Sequence, residues 1–187
     1  MTSEIRQVLE LIDREVWIVT AAAGAQAGGL VATWVSSASI DPEQPTMLVG
    51  IAPNHFTAEL VNESGAFALH LLAESQIDLV WRFALTSGRG TNKLAGLAYR
   101  PGINGNPILE DCLAWLDCRV VARYDAGDRL FFWADVVSGK VQRVGAALRE
   151  KQVLAAATPE QRAALVESRS ADIADLTPLK RSWREQV

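Results

Sequence analysis

Side chains able to hold a ligand gather in three places along the chain. From Gly29 to Pro42 it reads Gly-Leu-Val-Ala-Thr-Trp-Val-Ser-Ser-Ala-Ser-Ile-Asp-Pro. Thr33, Ser36, Ser37 and Ser39 therefore offer donors and acceptors beside the flat apolar surface of Trp34. A planar heterocycle with an oxygen-rich tail suits that mixture, and a polar strand face ending in a Ser-rich turn suits it equally. Next, Pro53-Asn-His-Phe-Thr57 leads into a short helix expected after Thr57. Free N–H groups and the helix dipole favour an anion there, with Asn54, His55 and Thr57 as side-chain partners. Thr57 also reads as an ordinary N-cap and His55 as a surface imidazole. Last, Lys93 stands in the loop Ser87-Gly-Arg-Gly-Thr-Asn-Lys93, either as a point charge for a phosphate or as a solvated loop lysine.

Other chemistries find no support. No Ser-His-Asp order, metal-ligand spacing or carboxylate pair stands out. His70, within Phe-Ala-Leu-His-Leu-Leu, reads as a hydrogen-bonded interior residue. Cys112 and Cys118 are the two cysteines. Their six-residue offset puts them on one face of a continuous strand but too far apart to bond, so they are expected to be buried thiols in a reducing compartment.

These residues need a frame. The 187 residues, 49% hydrophobic and 21% charged, suit one domain spanning 1–187. A net charge of -4, without a basic aromatic-interleaved run, argues against nucleic acid as a partner. Between Val16 and Ile40 there is no charged residue. The break Ala-Gly-Ala-Gln-Ala-Gly-Gly at 23–29 turns that stretch into two buried strands rather than a membrane span. It follows a charged helix, unlike a signal peptide, so a soluble cytoplasmic protein is expected.

That first helix is capped by Ser3, and Ile5, Val8, Leu9 and Ile12 on one face should pack on the body of the protein. Strands are expected at Val16–Ala22, Leu30–Ser37, Thr46–Ala52, Phe67–Leu72, Ala114–Tyr124 and Leu130–Val137, the last two joined through Asp125-Ala-Gly-Asp-Arg129. A second helix begins at Ser75, with Asp78 completing a capping box, and ends near Thr86. A Pro/Gly/Asn-rich passage occupies 101–107. Thr158-Pro-Glu-Gln161 starts a last helix running to about Ala174. The set predicts an all-β, Greek-key-like antiparallel barrel with flanking helices, the barrel over about 9–151 and a helical extension over about 152–187.

In their order and spacing these pieces resemble the flavin reductase-like FMN-binding split-barrel family. The resemblance covers Leu9 to Lys151 and rests on Val16-Trp-Ile-Val-Thr20, Gly29 to Pro42, Asn54 to Thr57, Glu63 to Glu74, Asn92-Lys-Leu-Ala-Gly96 and Ala114 to Val137. It implies a homodimer holding FMN, or in some members FAD. It also implies that Thr33, Trp34 and Val35 line the isoalloxazine, that Ser37 and Ser39 form a hydroxyl pair beyond it, that Asn54, His55 and Thr57 face the phosphate, and that Lys93 with Leu94 lies near the flavin. The implied reaction is hydride transfer from NADH or NADPH to flavin, with a monooxygenase or electron-transfer protein as a further partner. Two departures are visible: Asn92 stands where the family has Asp, and Gly127-Asp128-Arg129 replaces the Gly-Asp-His that sits beside nicotinamide in relatives. Arg129 then reads as a phosphate ligand or as a salt-bridging group at the dimer surface. The departure also keeps a second function open, a flavoredoxin-like FMN electron carrier reduced by a protein partner.

Overall fold

The computed structural model describes residues 3–187. After helix α1 (Ser3–Leu11) come strands β1 (Trp17–Ala23), β2 (Gln26–Ala32), β3 (Val35–Ser37) and β4 (Thr46–Ile51). Helix α2 (Phe56–Ser64), strand β5 (Ala66–Leu71) and helix α3 (Ile77–Ala84) follow. Next are the short strands β6 (Tyr99–Pro101) and β7 (Pro107–Leu109), the long hairpin β8 (Ala114–Asp125) and β9 (Leu130–Val141), and helices α4 (Glu150–Ala156) and α5 (Pro159–Arg184).

Seven strands form one sheet in the order β2-β1-β5-β8-β9-β4-β3, every pair antiparallel. The two edge strands, β2 and β3, are separated in the chain by Thr33 and Trp34 alone. The three steps from Ala32 to Val35 can span only about 11 Å, so the sheet must curl until its edges nearly meet. Gly50 N–H donates to the Trp34 carbonyl at 2.9 Å, tying that seam to β4. The result is an antiparallel half-barrel with flanking helices, the expected fold class. It also splits the strand expected over Leu30–Ser37: the chain leaves one edge at Ala32 and joins the other at Val35.

Inside the curl, Val19, Val49, Leu69, Phe67 and Phe132 are all but inaccessible and form the main core. A second apolar layer, with Ile18, Leu72, Phe83, Leu94 and Leu148, packs beneath α3. Gly29 permits this packing. A Cβ there would lie 2.7 Å from the Val19 carbonyl oxygen and 2.9 Å from the Phe83 ring.

Several expectations change. The uncharged stretch 16–40 does form two strands, but the break at 23–29 is mostly strand. Only Gly24 and Ala25 turn, with Gly24 at a φ of 56°, where a two-residue hairpin needs glycine. Helix α1 buries none of its residues, and Ile5, Val8, Leu9 and Ile12 are exposed rather than packed on the barrel. Ahead of α3, the Gln76 side chain, not Asp78, reaches back to the Ala73 N–H at 2.9 Å. The 101–107 passage is the turn of the β6–β7 hairpin, held by the buried Asp117 carboxylate, which accepts from Asn104 N–H at 3.1 Å and Asn106 Nδ2 at 3.3 Å. Cys112 precedes β8 instead of sharing a strand with Cys118, and both are buried free thiols. Helix α5 is capped as expected, Thr158 accepting from Gln161 N–H at 3.2 Å, but runs to Arg184, ten residues beyond the expected end. No helix among the described residues is long and apolar enough to cross a membrane.

Candidate functional site

The seam residue Thr33, the start of α2 and Lys93 converge on one cleft of about 470 Å³, closed on its outer side by α5. Each wall has a local cause. β2 supplies Gly29 and the seam just after it supplies Thr33, and the 87–92 loop is held against α2 because the Arg89 guanidinium pairs with the Glu59 carboxylate and lies 5.8 Å from the Phe56 ring. Phe56 in turn packs closely on Gly28 and Gly88, where a Cβ would sit 3.2 and 3.0 Å from its ring and push it aside.

The mouth of α2 differs from expectation. Phe56 begins the helix and His55 is the N-cap, making no side-chain capping bond. Thr57 is therefore a buried first-turn residue facing the cleft rather than the cap. First-turn amides are thus left without a side-chain acceptor at the positive end of the helix. His55 is not a bare surface imidazole either. Its Nε2 lies 3.5 Å from an Asp172 carboxylate oxygen, and Asn54 Nδ2 donates to the other oxygen at 3.2 Å. Burial lowers the His55 pKa, opposed by Asp172 and assisted by Arg129 and Lys93.

Lys93 is neither solvated nor loosely held. Only 6% exposed, its ammonium donates to the Gly29 carbonyl at 3.2 Å and the Phe83 carbonyl at 2.7 Å. Those bonds use two of three donors. Burial brings its pKa down to about 8, so at neutral pH it is a cation at the cleft wall. The neighbouring Leu94 is packed into the core beneath α3 and contributes no surface to the cleft.

On the other side of the seam, Trp34 is 42% exposed. It stacks on Phe131 at 6.2 Å between ring centroids, and the Arg129 guanidinium lies 4.8 Å from its ring. A small recess joins this surface to His55 and Thr33. Arg129 thus rests on an indole, with no carboxylate of its own chain within salt-bridge distance among the described residues. Val35 faces a shallow recess on the outer side of the seam, together with Ser36. Ser37 is exposed on β3, and Ser39 closes the β3–β4 turn, donating to the Gln44 carbonyl at 2.9 Å and accepting from Thr46 N–H at 3.0 Å. The structure therefore gathers Thr33, Asn54, His55, Thr57 and Lys93, places Trp34 next door, and leaves Ser37, Ser39 and Leu94 outside. His70 is an interior residue as expected: Nδ1 donates to the Ile18 carbonyl at 3.1 Å and Nε2 accepts from Leu109 N–H at 3.0 Å, and burial takes its pKa down to about 4.

Helix α5 adds a wall that the motifs alone do not announce. Leu165, Ser168 and Asp172 face the cleft at offsets of three and four, a helical stripe that the periodicity alone could have revealed.

The chain's relatives share this frame. Residues 9–154 match the model of the flavin reductase like domain. The chain belongs to that family. Among curated relatives, this flavin reductase-like chain is 29% identical over 144 residues to diflavin flavoprotein A 1 of Synechocystis sp., an alignment covering 76% of the chain and 25% of the relative. It thus spans about a quarter of the length of the curated relatives it matches. Among solved structures, a nitrilotriacetate monooxygenase component B homologue from Mycobacterium thermoresistibile superposes with a TM-score of 0.68 at 28% identity, covering 78% of this chain and 80% of that one. An FMN-binding protein from Thermus thermophilus, bound to 1-cyclohex-2-enone, gives 0.64 at 25% identity, covering 70% and 72%.

Proposed function

We propose that this flavin reductase-like domain holds FMN in the cleft between the barrel seam and α2 and works as an NAD(P)H-dependent flavin oxidoreductase. The observation that carries the proposal is the convergence of three independent features: the uncapped start of α2, the buried Lys93 ammonium with a donor to spare, and the Thr33–Trp34 seam. Donors and one cation at one end, with flat apolar surface at the other, suit a phosphate and a ring system respectively. Family membership and the FMN-binding Thermus relative support the same ligand, and FAD remains compatible with the donor set.

In this scheme the α2 amides, Thr57 and Lys93 hold the phosphate, Asn54 and His55 orient its ester side, and Thr33 and Trp34 border the ring. Bound flavin would accept a hydride equivalent from a dihydronicotinamide and pass electrons onward. The chain supplies orientation and a surface from which water is partly excluded, so no side-chain acid or base is required. The exposed apolar face of α1 and the seam's open position support assembly as a homodimer. Reduced, buried Cys112 and Cys118 fit a cytoplasmic location. The monooxygenase component among its structural relatives supports an electron-accepting partner of that kind.

Anaerobic mixing of the FMN-loaded chain with NADH and, separately, NADPH tests the reaction. Bleaching of the flavin's visible band with at least one donor is expected. A persistently yellow protein with both would contradict the reductase reading. It would favour the electron-carrier alternative, which the seating of Arg129 on Trp34, in place of a histidine, supports.

A further inference from the structure

Helix α5 stands off the barrel that it covers. Of its 26 residues, all described, Leu176 alone is buried. The helix borders three clefts, of about 470, 500 and 570 Å³. A helix that completes a core buries a continuous apolar stripe, whereas α5 has separate footholds. The firmest is at its C-terminal end, on the β8–β9 turn. There Lys180 Nζ donates to the Ala126 carbonyl at 3.0 Å and pairs with Asp128 at 2.9 Å. The Trp183 ring meets Tyr124 edge-on at 6.4 Å, and a Cβ on Gly127 would lie 2.6 Å from the Leu179 carbonyl.

Two places allow the rest of the helix to move against that anchor. Pro178 lies inside α5 and, having no N–H, leaves the Ala174 carbonyl without its helical donor. At the other end Ala157 is extended, with φ -63° and ψ 134°, so α4 and α5 are not one continuous rod. Between these points lies Asp172. One of its carboxylate oxygens is 3.5 Å from His55 Nε2, and the other accepts from Asn54 Nδ2 at 3.2 Å. These are the side chains that the scheme above gives to the ester side of the flavin phosphate, next to the uncapped start of α2. A carboxylate and a phosphate monoester ask for the same partners, and two anions at one set of donors repel.

We propose that α5 is an autoinhibitory strap. Asp172 takes the place of the flavin phosphate at the α2 mouth, and FMN binds by displacing the 159–174 part of the helix. That part rocks outward about Pro178 while the C-terminal end stays on the β8–β9 turn. The proposal rests on the flavin reading above and adds its regulation: apparent FMN affinity falls in proportion to the fraction of chains whose strap is open. A partner that holds α5 away would raise it.

Hydrogen–deuterium exchange of the purified full-length chain tests this. Asp172→Ser nearly keeps the helix propensity but is too short to reach His55 and Asn54. Without flavin, it should speed exchange over 159–174 at least about threefold. Glu167→Gln, an exposed position of α5 outside the three clefts, should leave exchange unchanged. Saturating FMN should speed exchange over 159–174 in the natural chain at least about threefold and leave 179–184 unaltered. FMN that slows exchange over 159–174 would make α5 a lid closing on its ligand and overturn the proposal. Unchanged exchange in Asp172→Ser, measured without flavin, overturns the strap alone and leaves flavin binding intact. Failure of both chains to bind FMN removes the flavin reading and the inhibition with it.

Discussion

The Lys93 ammonium is bonded to the carbonyl oxygen of Gly29, 64 residues earlier and on the edge strand β2. That bond and its companion to Phe83 convert a residue of a polar loop into a fixed cation at the wall of the cleft proposed to hold flavin. Replacing it with an apolar side chain should weaken FMN binding roughly tenfold to a hundredfold, the range for a hydrogen bond to a charged group. Riboflavin, which has no phosphate, should lose little. Fluorescence titration of Lys93→Met with both flavins checks this, and equal losses would place the ammonium's role elsewhere.

The same lysine sets a pH dependence. Burial holds its pKa down to about 8, and a bound phosphate favours the charged form. Above that pH, binding must therefore take up a proton. FMN affinity should not vary with pH while Lys93 stays charged, below about pH 8, and should fall above it by up to about tenfold per pH unit, a limb absent from Lys93→Met. The measurement is a set of FMN titrations between pH 7 and 10.

His70 predicts a different pH effect, on stability. Its pKa is about 4 in the fold against 6.5 for the free side chain, so between those values the unfolded chain binds more protons. Stability is then fully present above about pH 6.5 and falls as pH drops toward 4, by about 3 kcal/mol in all, at roughly 1.4 kcal/mol per unit. Chemical denaturation across that range should show the slope in the natural chain and a shallower one in His70→Gln.

Asp172 places a carboxylate where the flavin's phosphate end is proposed to lie. Asp172→Asn keeps the size and a hydrogen-bonding group for Asn54 but removes the repulsion, and should tighten FMN binding roughly fivefold at low salt, less at high salt. It should also lower the His55 pKa further, since Asp172 is what raises it. Weaker binding would instead mean that the carboxylate organises the site.

Gly29 is confined by the Val19 carbonyl and the Phe83 ring. Gly29→Ala should cost about 1–3 kcal/mol through overpacking, measured by urea denaturation. An unchanged midpoint would show that β2 can shift away from α3.

Much of this frame could be read in the residues. The alternation and turn chemistry located β1, β4, β5, β8 and β9 to within a few residues, and the ordered motifs gave the half-barrel. Local signals failed where tertiary contacts decide. Thr33 and Trp34 looked like mid-strand residues because nothing local shows that β2 and β3 lie on opposite edges. Lys93 looked solvated because the carbonyls it binds belong to β2 and α3. Ser37 and Ser39 looked like ligand groups because a hydroxyl that closes its own turn, as Ser39 does with Gln44 and Thr46, has the same sequence appearance as one that meets a ligand. Arg129 gave no hint of Trp34, 95 residues away. Only α5 could have been read further, since Leu165, Ser168 and Asp172 recur at helical spacing.

The central claim, that the seam and the α2 mouth together hold a phosphorylated flavin, is tested most directly by titrating the purified chain with FMN and with riboflavin under the same conditions. Saturable binding of one FMN per chain, tighter than riboflavin by about tenfold or more, is the predicted result. A chain that leaves the spectrum and fluorescence of added FMN unchanged, or that binds the two flavins equally, would contradict it.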